Sequence, residues 1–348
     1  MQKILKASSY YLEDVLGLNL NKRAKDGKLS FILINHPPIC DYHCRRCFMQ
    51  EYRRKLFDPK KALTIDEYKD IIRKAKKSGI LCMEISGEGE PLLSKHILDV
   101  IKYADEQGII TTLITNGNIL TKDQAKFFKD HNVVLVFSLH TLEKAKYEID
   151  NNCEGSFETK IEHINMASEI YKGTTEIIND HEVYRIAVHA TLQKDNINDI
   201  DDLKRFCHER NMFFSIAPLA LTGNAFKHPE ICFDNNEKVL EYATQLGDNT
   251  IIHSHSSKEV FGREVCGTAY YGLNIGWDGS ILFDAHYGYE VGENNLLGNI
   301  REVSFEDAVK KQHEYMNTLF SNIDGSCPVR DSKGKDFLHK VLKGEIKI

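Results

Sequence analysis

The chain has 348 residues, 42% apolar and 28% charged, the composition of an ordinary soluble globular protein. Its 45 basic and 51 acidic residues leave a net charge of −6 without a dense Lys/Arg run, which argues against nucleic acid or an anionic membrane as the main partner. No apolar window approaches the roughly 20 residues of a membrane span, and the first residues lack a signal-peptide core, so we expect a cytoplasmic protein. Nine cysteines, an odd number, favour metal or redox chemistry over a disulfide framework.

Strand-like and helix-like segments alternate from residue 29 onward. Apolar, β-branched runs predict strands at 29–35, 80–86, 108–115, 133–139, 183–192 and 212–219. Helices are predicted between them, two of which begin at Thr64 and Thr121 with a capping partner three residues later, Glu67 and Gln124. Such apolar strands are typical of a parallel sheet covered by helices. Six strand–helix cycles fit a partial or complete β/α barrel or a doubly wound open sheet, and in each fold ligands bind at the carboxyl ends of the strands.

The pattern changes after residue 226. The sequence predicts a helix over 236–247, a hairpin turning at Asp278-Gly279, a helix capped by Ser304 and Asp307, and a short helix near 335–343. The predicted organisation is an N-terminal extension (1–28), a β/α barrel (29–225) and a small α+β domain (226–348).

Three cysteines follow the first predicted strand with C-x3-C-x2-C spacing, at Cys40, Cys44 and Cys47. Three thiolates on one short loop can converge on a metal centre, and an iron–sulfur cluster held by only three leaves one iron open for chemistry. A structural zinc site is the alternative, with His43 or a distant residue as the fourth ligand, although the sequence lacks the second close ligand pair typical of such sites. Three unrelated buried thiols are the remaining interpretation.

This cysteine loop, in a six-fold β/α repeat, resembles that of the radical S-adenosylmethionine (radical SAM) enzymes. The resemblance covers roughly residues 29–225 and extends to the ends of later strands. The second strand ends in Ser86-Gly87-Glu88-Gly89-Glu90-Pro91, similar to the family's Gly-Gly-Glu-Pro segment, which holds the amino group of SAM. Family-like endings of the third, fourth and sixth strands are Thr115-Asn116-Gly117, Ser138-Leu139 and Pro218-Leu219 followed by Thr222-Gly223-Asn224-Ala225.

The resemblance implies a partial (β/α)6 barrel in which Cys40, Cys44 and Cys47 hold a [4Fe–4S] cluster and SAM binds its open iron. In this family the reduced cluster cleaves SAM, and the 5′-deoxyadenosyl radical abstracts a hydrogen from substrate, so an electron donor such as flavodoxin or ferredoxin is expected. Glu90 is expected to accept from the ammonium group of SAM, and Gly89 to let backbone approach the cofactor closely. The implied cofactor-binding residues are Arg46, Phe48, Gly87, Glu88, Gly89, Glu90, Asn116, Ser138 and Leu219.

Two of these residues depart from the family pattern. Arg46 stands where an aromatic or apolar residue is common, but the family contact with adenine is made by backbone, so Arg46 stays in the set. Glu88 replaces the first glycine of the Gly-Gly-Glu-Pro segment, and we expect its side chain either to face the substrate or to be solvated.

The C-terminal third resembles the twitch or SPASM extension of radical SAM enzymes, in which four cysteines hold an auxiliary cluster. Cys266 and Cys327 stand at the first and third ligand positions, whereas Asp284 and Arg330 stand at the second and fourth. Because arginine cannot be a ligand, we expect a scaffold without a cluster that serves as a lid or substrate platform. A second metal site with Asp284 or His286 as substitute ligand is the alternative.

Three further residues are weaker catalytic candidates. Cys232 lies in a loop from which it could donate a hydrogen atom, and His140 and His189 lie near strand ends. Enzymes with this extension often modify peptides, and others oxidise or rearrange sugars and aminocyclitols. We therefore expect peptide or natural-product modification, with a sugar or aminocyclitol dehydrogenase or epimerase as the alternative and a non-catalytic zinc-binding module as the rival class.

Overall fold

The computed structural model describes residues 12–13, 15–50, 52–220, 222–233, 253–254, 258–262, 265–266, 271–282, 296–322 and the single positions 336, 340, 343 and 345. The strands are β1 (Phe31–Ile34), β2 (Cys82–Ile85), β3 (Ile110–Thr115), β4 (Val133–Ser138), β5 (Glu176–Ile178), β6 (His181–Val183), β7 (Ile186–Leu192), β8 (Phe213–Pro218), β9 (His253–Ser254), β10 (Val265–Cys266), β11 (Gly272–Ile275), β12 (Ser280–Leu282) and β13 (Leu296–Asn299). The helices are α1 (Leu20–Lys25), α2 (Arg53–Leu56), α3 (Ile65–Lys77), α4 (Ile97–Glu106), α5 (Lys122–Asp130), α6 (Lys144–Asn151), α7 (Ser156–Tyr171), α8 (Ile200–His208), α9 (Lys258–Phe261) and α10 (Phe305–Asn322).

The order of the strands decides between the two folds that the sequence left open. Strands β1, β2, β3, β4, β7 and β8 lie side by side in chain order, and every neighbouring pair is parallel. A doubly wound sheet would reverse its order at a switch point, which this sheet does not do. The predicted partial (β/α)6 barrel is therefore confirmed, with its core between the buried strands and the surrounding helices.

Both predicted capping boxes are present. Thr64 accepts from the backbone N–H of Glu67 and the Glu67 carboxylate accepts from the backbone N–H of Thr64, which fixes the start of α3. Thr121 and Gln124 make the same reciprocal pair at the start of α5. Local sequence is enough to specify these helix starts because both partners lie within one turn.

The sequence did not predict the two-stranded hairpin of β5 and β6, which precedes the fifth barrel strand. Its turn residues Asn179 and Asp180 both have left-handed backbone, with φ of 49° and 66°. Two consecutive left-handed residues match the twist of a tight hairpin, and Asn and Asp tolerate this conformation. As a result the barrel strand begins at Ile186, three residues after the predicted start.

The C-terminal hairpin extends the barrel sheet. Strands β11 and β12 are antiparallel around the predicted Asp278-Gly279 turn, and β11 pairs in parallel with β1, so that one nine-stranded sheet runs from β13 to β8. Helix α10 begins after Ser304, whose hydroxyl accepts from the Asp307 N–H as predicted. The helix predicted over 236–247 lies outside the described residues, as does most of the one near 335–343, and the domain boundaries stay predictions. Within the described ranges, no helix has the length and apolar character needed to cross a membrane.

Candidate active site

The cysteine loop (residues 37–50) follows β1 and is held by two other parts of the barrel. The backbone N–H groups of His43 and Arg45 donate to the carbonyls of Asn151 and Asp150, at the end of α6, at 3.0 Å each. On the other side, the Asn224 backbone N–H donates to Cys47 O and its side-chain amide to Cys44 O, both at 3.1 Å. The loop conformation is therefore fixed by residues that follow the fourth and sixth barrel strands.

The three thiols of this loop are half-buried and free of disulfides, and each lies against a different polar group. The Cys44 thiol donates to the Asn151 side-chain carbonyl at 3.3 Å, and the Arg53 guanidinium donates to Cys47 Sγ at 3.2 Å. The Asn116 amide lies 3.8 Å from Cys40 Sγ. In the described part of the chain, no group of three His, Cys, Asp or Glu side chains is arranged to hold a metal ion.

The chemistry of these donors fits an iron–sulfur cluster. Burial raises the pKa of Cys40 to about 11 and that of Cys44 to about 12, although neighbouring guanidinium groups oppose the shift. Thiols with such pKa values keep their protons at neutral pH until a cation displaces them. Three soft sulfur donors on one loop, with Arg46 and Arg53 beside them to balance thiolate charge, suit a three-cysteine [4Fe–4S] site.

Arg46, which departs from the family pattern, has buried polar partners for its side chain. It is largely buried, forms an ion pair with Asp150, and donates to Asn151 Oδ1 at 2.8 Å. Arg45 contacts the same Asp150 carboxylate at 3.3 Å and Asp195 at 2.8 Å. Sequence reasoning missed Asp150, because no motif marks it and it lies about a hundred residues from the loop. The predicted cofactor contact through the Arg46 backbone stays a prediction.

Glu90 lies between the ends of β2 and β3, where its carboxylate accepts three hydrogen bonds from the protein. Its carboxylate accepts from the backbone N–H groups of Leu92 at 3.0 Å and Asn116 at 2.7 Å, and from the Thr115 hydroxyl at 2.5 Å. Burial raises its pKa to about 7, and these hydrogen bonds oppose the shift. The structure brings Glu90 and Asn116 together, and the contact of Glu90 with the ammonium group of SAM stays a prediction.

Lys160 on α7 is a buried cation of this site that sequence reasoning missed. Its ammonium group donates to the Asn116 carbonyl and lies 5.1 Å from the centre of the Phe137 ring. Burial lowers its pKa to about 7, and the nearby Glu90 carboxylate opposes the shift. The sequence contained a signal for its burial. Lys160 lies at helical spacing from the buried Ile164, Ala167 and Tyr171, and so on the same face of α7.

Two glycines let the strand ends close on the cysteine loop. A Cβ on Gly89 would lie 2.4 Å from Pro37 O and 2.6 Å from Ile39 O, and a Cβ on Gly223, whose φ is +55°, would lie 2.2 Å from Phe48 O. The backbone of Gly89, which we expected to lie close to the cofactor, therefore lies close to the cysteine loop. Gly87 lies close to the Phe48 ring, since a Cβ on Gly87 would be 3.8 Å from it.

The expectation that Glu88 is solvated is wrong. Its side chain has no exposed surface, and its carboxylate accepts from the backbone N–H of Trp277 at 3.2 Å. Its carbonyl accepts from Arg53 Nε at 3.4 Å. The sequence could not show this because the partner lies 189 residues away, in the turn between β11 and β12.

The weaker candidates have different surroundings. His189 faces Ser138 in the β4–β7 register, and its Nδ1 lies 2.7 Å from the Ser215 hydroxyl. His140 is buried, and its Nδ1 accepts from the Thr191 N–H at 2.8 Å. Cys232 Sγ lies 3.6 Å from the carbonyls of its own turn and packs against the small cluster of Leu219, Ala225 and Ile231. For the second metal site, only the backbone of Cys266 is described, while Asp284, His286, Cys327 and Arg330 lie outside the described residues.

Comparison with known proteins agrees with this geometry. The model of the Radical SAM superfamily matches residues 34–194. An S-adenosylmethionine-dependent nucleotide dehydratase of Selenomonas ruminantium is 33% identical over 81 residues, 23% of this chain and 27% of the relative. A PqqA peptide cyclase of Bradyrhizobium diazoefficiens is 25% identical over 144 residues, 41% of this chain and 34% of the relative. The chain thus spans about a quarter to a third of these two relatives.

A solved structure shares the fold over most of the chain. The structure of Streptococcus suis SuiB bound to precursor peptide SuiA superposes with a TM-score of 0.63 and 22% identity, covering 86% of this chain and 70% of SuiB. The residues that match the superfamily model include the three-cysteine loop, Glu90 and Asn116. This part of the chain matches the Radical SAM superfamily, whose members use a [4Fe–4S] cluster and SAM.

Proposed function

We propose that this chain is a radical SAM enzyme that cleaves SAM reductively and abstracts a hydrogen atom from a peptide. The observation that carries the proposal is the convergence of the Cys40, Cys44 and Cys47 loop with Glu90 and Asn116 at one end of the barrel. When bound, the cluster and SAM supply the one-electron reduction and the radical chemistry of the superfamily.

The residues of the chain have separable tasks in this proposal. The three thiols bind the cluster, and Arg46 and Arg53 offset its negative charge. The Glu90 carboxylate and the Lys160 ammonium supply opposite charges beside Asn116, an arrangement that suits the zwitterionic methionyl end of SAM. The half-buried Ser138 and His189, side by side on adjacent strands, are the polar groups we expect nearest the substrate.

The choice of a peptide rests on similarity. The PqqA peptide cyclase is named for a peptide substrate, and SuiB was solved with its precursor peptide bound. SuiB shares the fold over 86% of this chain. We infer that the C-terminal third forms a platform for the peptide without an auxiliary cluster, and that a flavodoxin or ferredoxin supplies electrons. A sugar or aminocyclitol substrate is the competing outcome.

The first experiment is anaerobic reconstitution followed by iron and sulfide analysis. We expect about four irons and four sulfides per chain, and about eight irons would show that the C-terminal third holds a second cluster. The Cys40/Cys44/Cys47 triple alanine variant should retain no iron, whereas alanine at the half-buried Cys153 should leave the iron content unchanged. One zinc per chain without sulfide would contradict the proposal and support the zinc-binding alternative.

The second experiment tests the substrate. The reconstituted enzyme with SAM and reductant is incubated with peptides encoded beside its gene, and mass loss of two or more hydrogens is followed by mass spectrometry. Modification of a peptide by the wild type, but not by the triple alanine variant, supports the assignment. Turnover of a sugar or aminocyclitol with no modified peptide would contradict it.

A further inference from the structure

Arg53, in the short helix α2, is the group that we infer tunes the cluster of the cysteine loop. We propose that its guanidinium holds Cys47 in place and raises the reduction potential of the cluster. The inference rests on the proposed function, because it requires a cluster on Cys40, Cys44 and Cys47. Arg53 is a positioning residue, since it acts on the cluster through a ligand sulfur.

The guanidinium connects two positions of the cysteine loop with the segment that follows β2. Nη2 donates to Cys47 Sγ at 3.2 Å, Nη1 donates to the Tyr42 carbonyl at 3.0 Å, and Nε donates to the Glu88 carbonyl at 3.4 Å. Its planar fork of donors fixes the direction of each hydrogen bond, which a lysine could not reproduce. Arg53 therefore bridges Cys47 and the segment that follows β2.

Helix α2 is itself held in place by the C-terminal hairpin. The ring of Phe57, which caps α2, packs edge-on against Trp277 with ring centres 5.2 Å apart. The Leu63 N–H donates to the Trp277 carbonyl at 3.0 Å, and the Trp277 N–H donates to Glu88. The position of Arg53 thus depends on contacts from both sides, which keeps its charge at a fixed distance from the thiols.

The electrostatic consequence follows from the position of the charge. Arg53 is half-buried and donates to Cys47 Sγ at 3.2 Å. Burial lowers the pKa of its guanidinium, but the three cysteines of the loop together raise it above its usual value. Reduction adds one electron to the cluster, and a nearby cation or a hydrogen bond to a ligand sulfur stabilises the more negative state. Removing the guanidinium should therefore make the cluster harder to reduce, even if iron content and fold are retained.

The experiment is an anaerobic redox titration followed by EPR spectroscopy on the reconstituted full chain. The variants are Arg53→Gln, Arg53→Lys and, as a control of equal charge change, Arg73→Gln on the exposed face of α3. At the potential where the wild-type cluster is half reduced, we expect the ratio of reduced to oxidised cluster in Arg53→Gln to fall about tenfold. This tenfold change corresponds to a reduction potential about 59 mV lower for a one-electron couple. The Arg53→Lys variant should lie between wild type and Arg53→Gln, and Arg73→Gln should match wild type.

The possible outcomes separate this inference from the function on which it rests. Cluster-loaded Arg53→Gln and Arg53→Lys with wild-type potentials would overturn the role of Arg53 and leave the proposed function intact. If Arg53→Gln holds no iron, Arg53→Lys decides: a potential below wild type supports the inference, and an unchanged one overturns it. A wild-type protein without any [4Fe–4S] signal would overturn both.

Discussion

The Glu88 carboxylate accepts a hydrogen bond from the backbone N–H of Trp277 at 3.2 Å, across 189 residues of sequence. Glu88 is the residue that departs from the family's Gly-Gly-Glu-Pro segment, and Trp277 lies at the turn of the hairpin that extends the barrel sheet. A residue three positions after β2 and two positions before Glu90 thereby contacts the C-terminal part of the chain. This contact joins the hairpin to the candidate active site.

Loss of this carboxylate should destabilise the fold. Alanine at Glu88 leaves the buried Trp277 N–H without its acceptor, and we expect the free energy of unfolding to fall by about 1–3 kcal/mol. Glutamine at Glu88 keeps an acceptor oxygen, so the free energy of unfolding should fall less than with alanine. Urea unfolding of the apo-protein measures both variants, and an alanine variant as stable as wild type would show that the contact contributes nothing.

Asp150 should be essential for the cysteine loop. It is the buried partner of Arg46, and its removal leaves a buried guanidinium unpaired, a loss of about 3–5 kcal/mol in comparable sites. We expect Asp150→Ala to bind less than half of the wild-type iron. Asp195→Ala is the matched control, because the Arg45–Asp195 pair is more exposed and worth under about 1 kcal/mol. Equal iron content in the two variants would refute the role of Asp150.

Lys160 should contribute to SAM affinity. Its ammonium group is buried beside Asn116 and near Glu90, so it can attract an anionic group at the same end of the barrel. We expect Lys160→Met to bind SAM at least about tenfold more weakly, and Lys160→Arg to lose less, as measured by calorimetry on the reconstituted protein. An exposed lysine on α5, Lys122, provides the Lys122→Met control. Unchanged affinity in Lys160→Met would remove Lys160 from the binding site.

The stability of the fold should fall in mild acid because of His36. This buried ring stacks on Tyr68, and its Nδ1 lies 2.7 Å from the Ser94 hydroxyl. Burial lowers its pKa to about 3, so between pH 6.5 and 3 the unfolded chain binds a proton that the folded chain does not. The free energy of unfolding should therefore fall by about 1 kcal/mol from pH 7 to pH 5.5 through this group alone.

Variants isolate the histidine responsible. Between pH 7 and pH 5.5, the free energy of unfolding should fall by about 1 kcal/mol less in His36→Gln than in the wild type. The exposed His208→Gln should show the wild-type decrease. Identical decreases in wild type and His36→Gln would exclude His36 as the acid-sensitive group.

The features that the sequence predicted are those specified by nearby residues. The C-x3-C-x2-C spacing, the Thr64 and Thr121 capping boxes and the Asp278-Gly279 turn each lie within a few positions of one another. The missed features depend on contacts between distant segments. Asp150 pairs with Arg46 across about a hundred residues, and Glu88 contacts Trp277 across 189. The hairpin of β5 and β6 was missed for another reason, since its short strands lack the apolar runs on which the strand predictions relied.

We propose that Cys40, Cys44 and Cys47 hold a cluster that cleaves SAM. The decisive measurement is the amount of 5′-deoxyadenosine released after the reconstituted chain is mixed anaerobically with SAM and dithionite. The wild type should release 5′-deoxyadenosine in a time-dependent manner, and the triple alanine variant should release none. A reconstituted wild type that carries zinc in place of iron and sulfide and yields no 5′-deoxyadenosine would show that these cysteines form a zinc site.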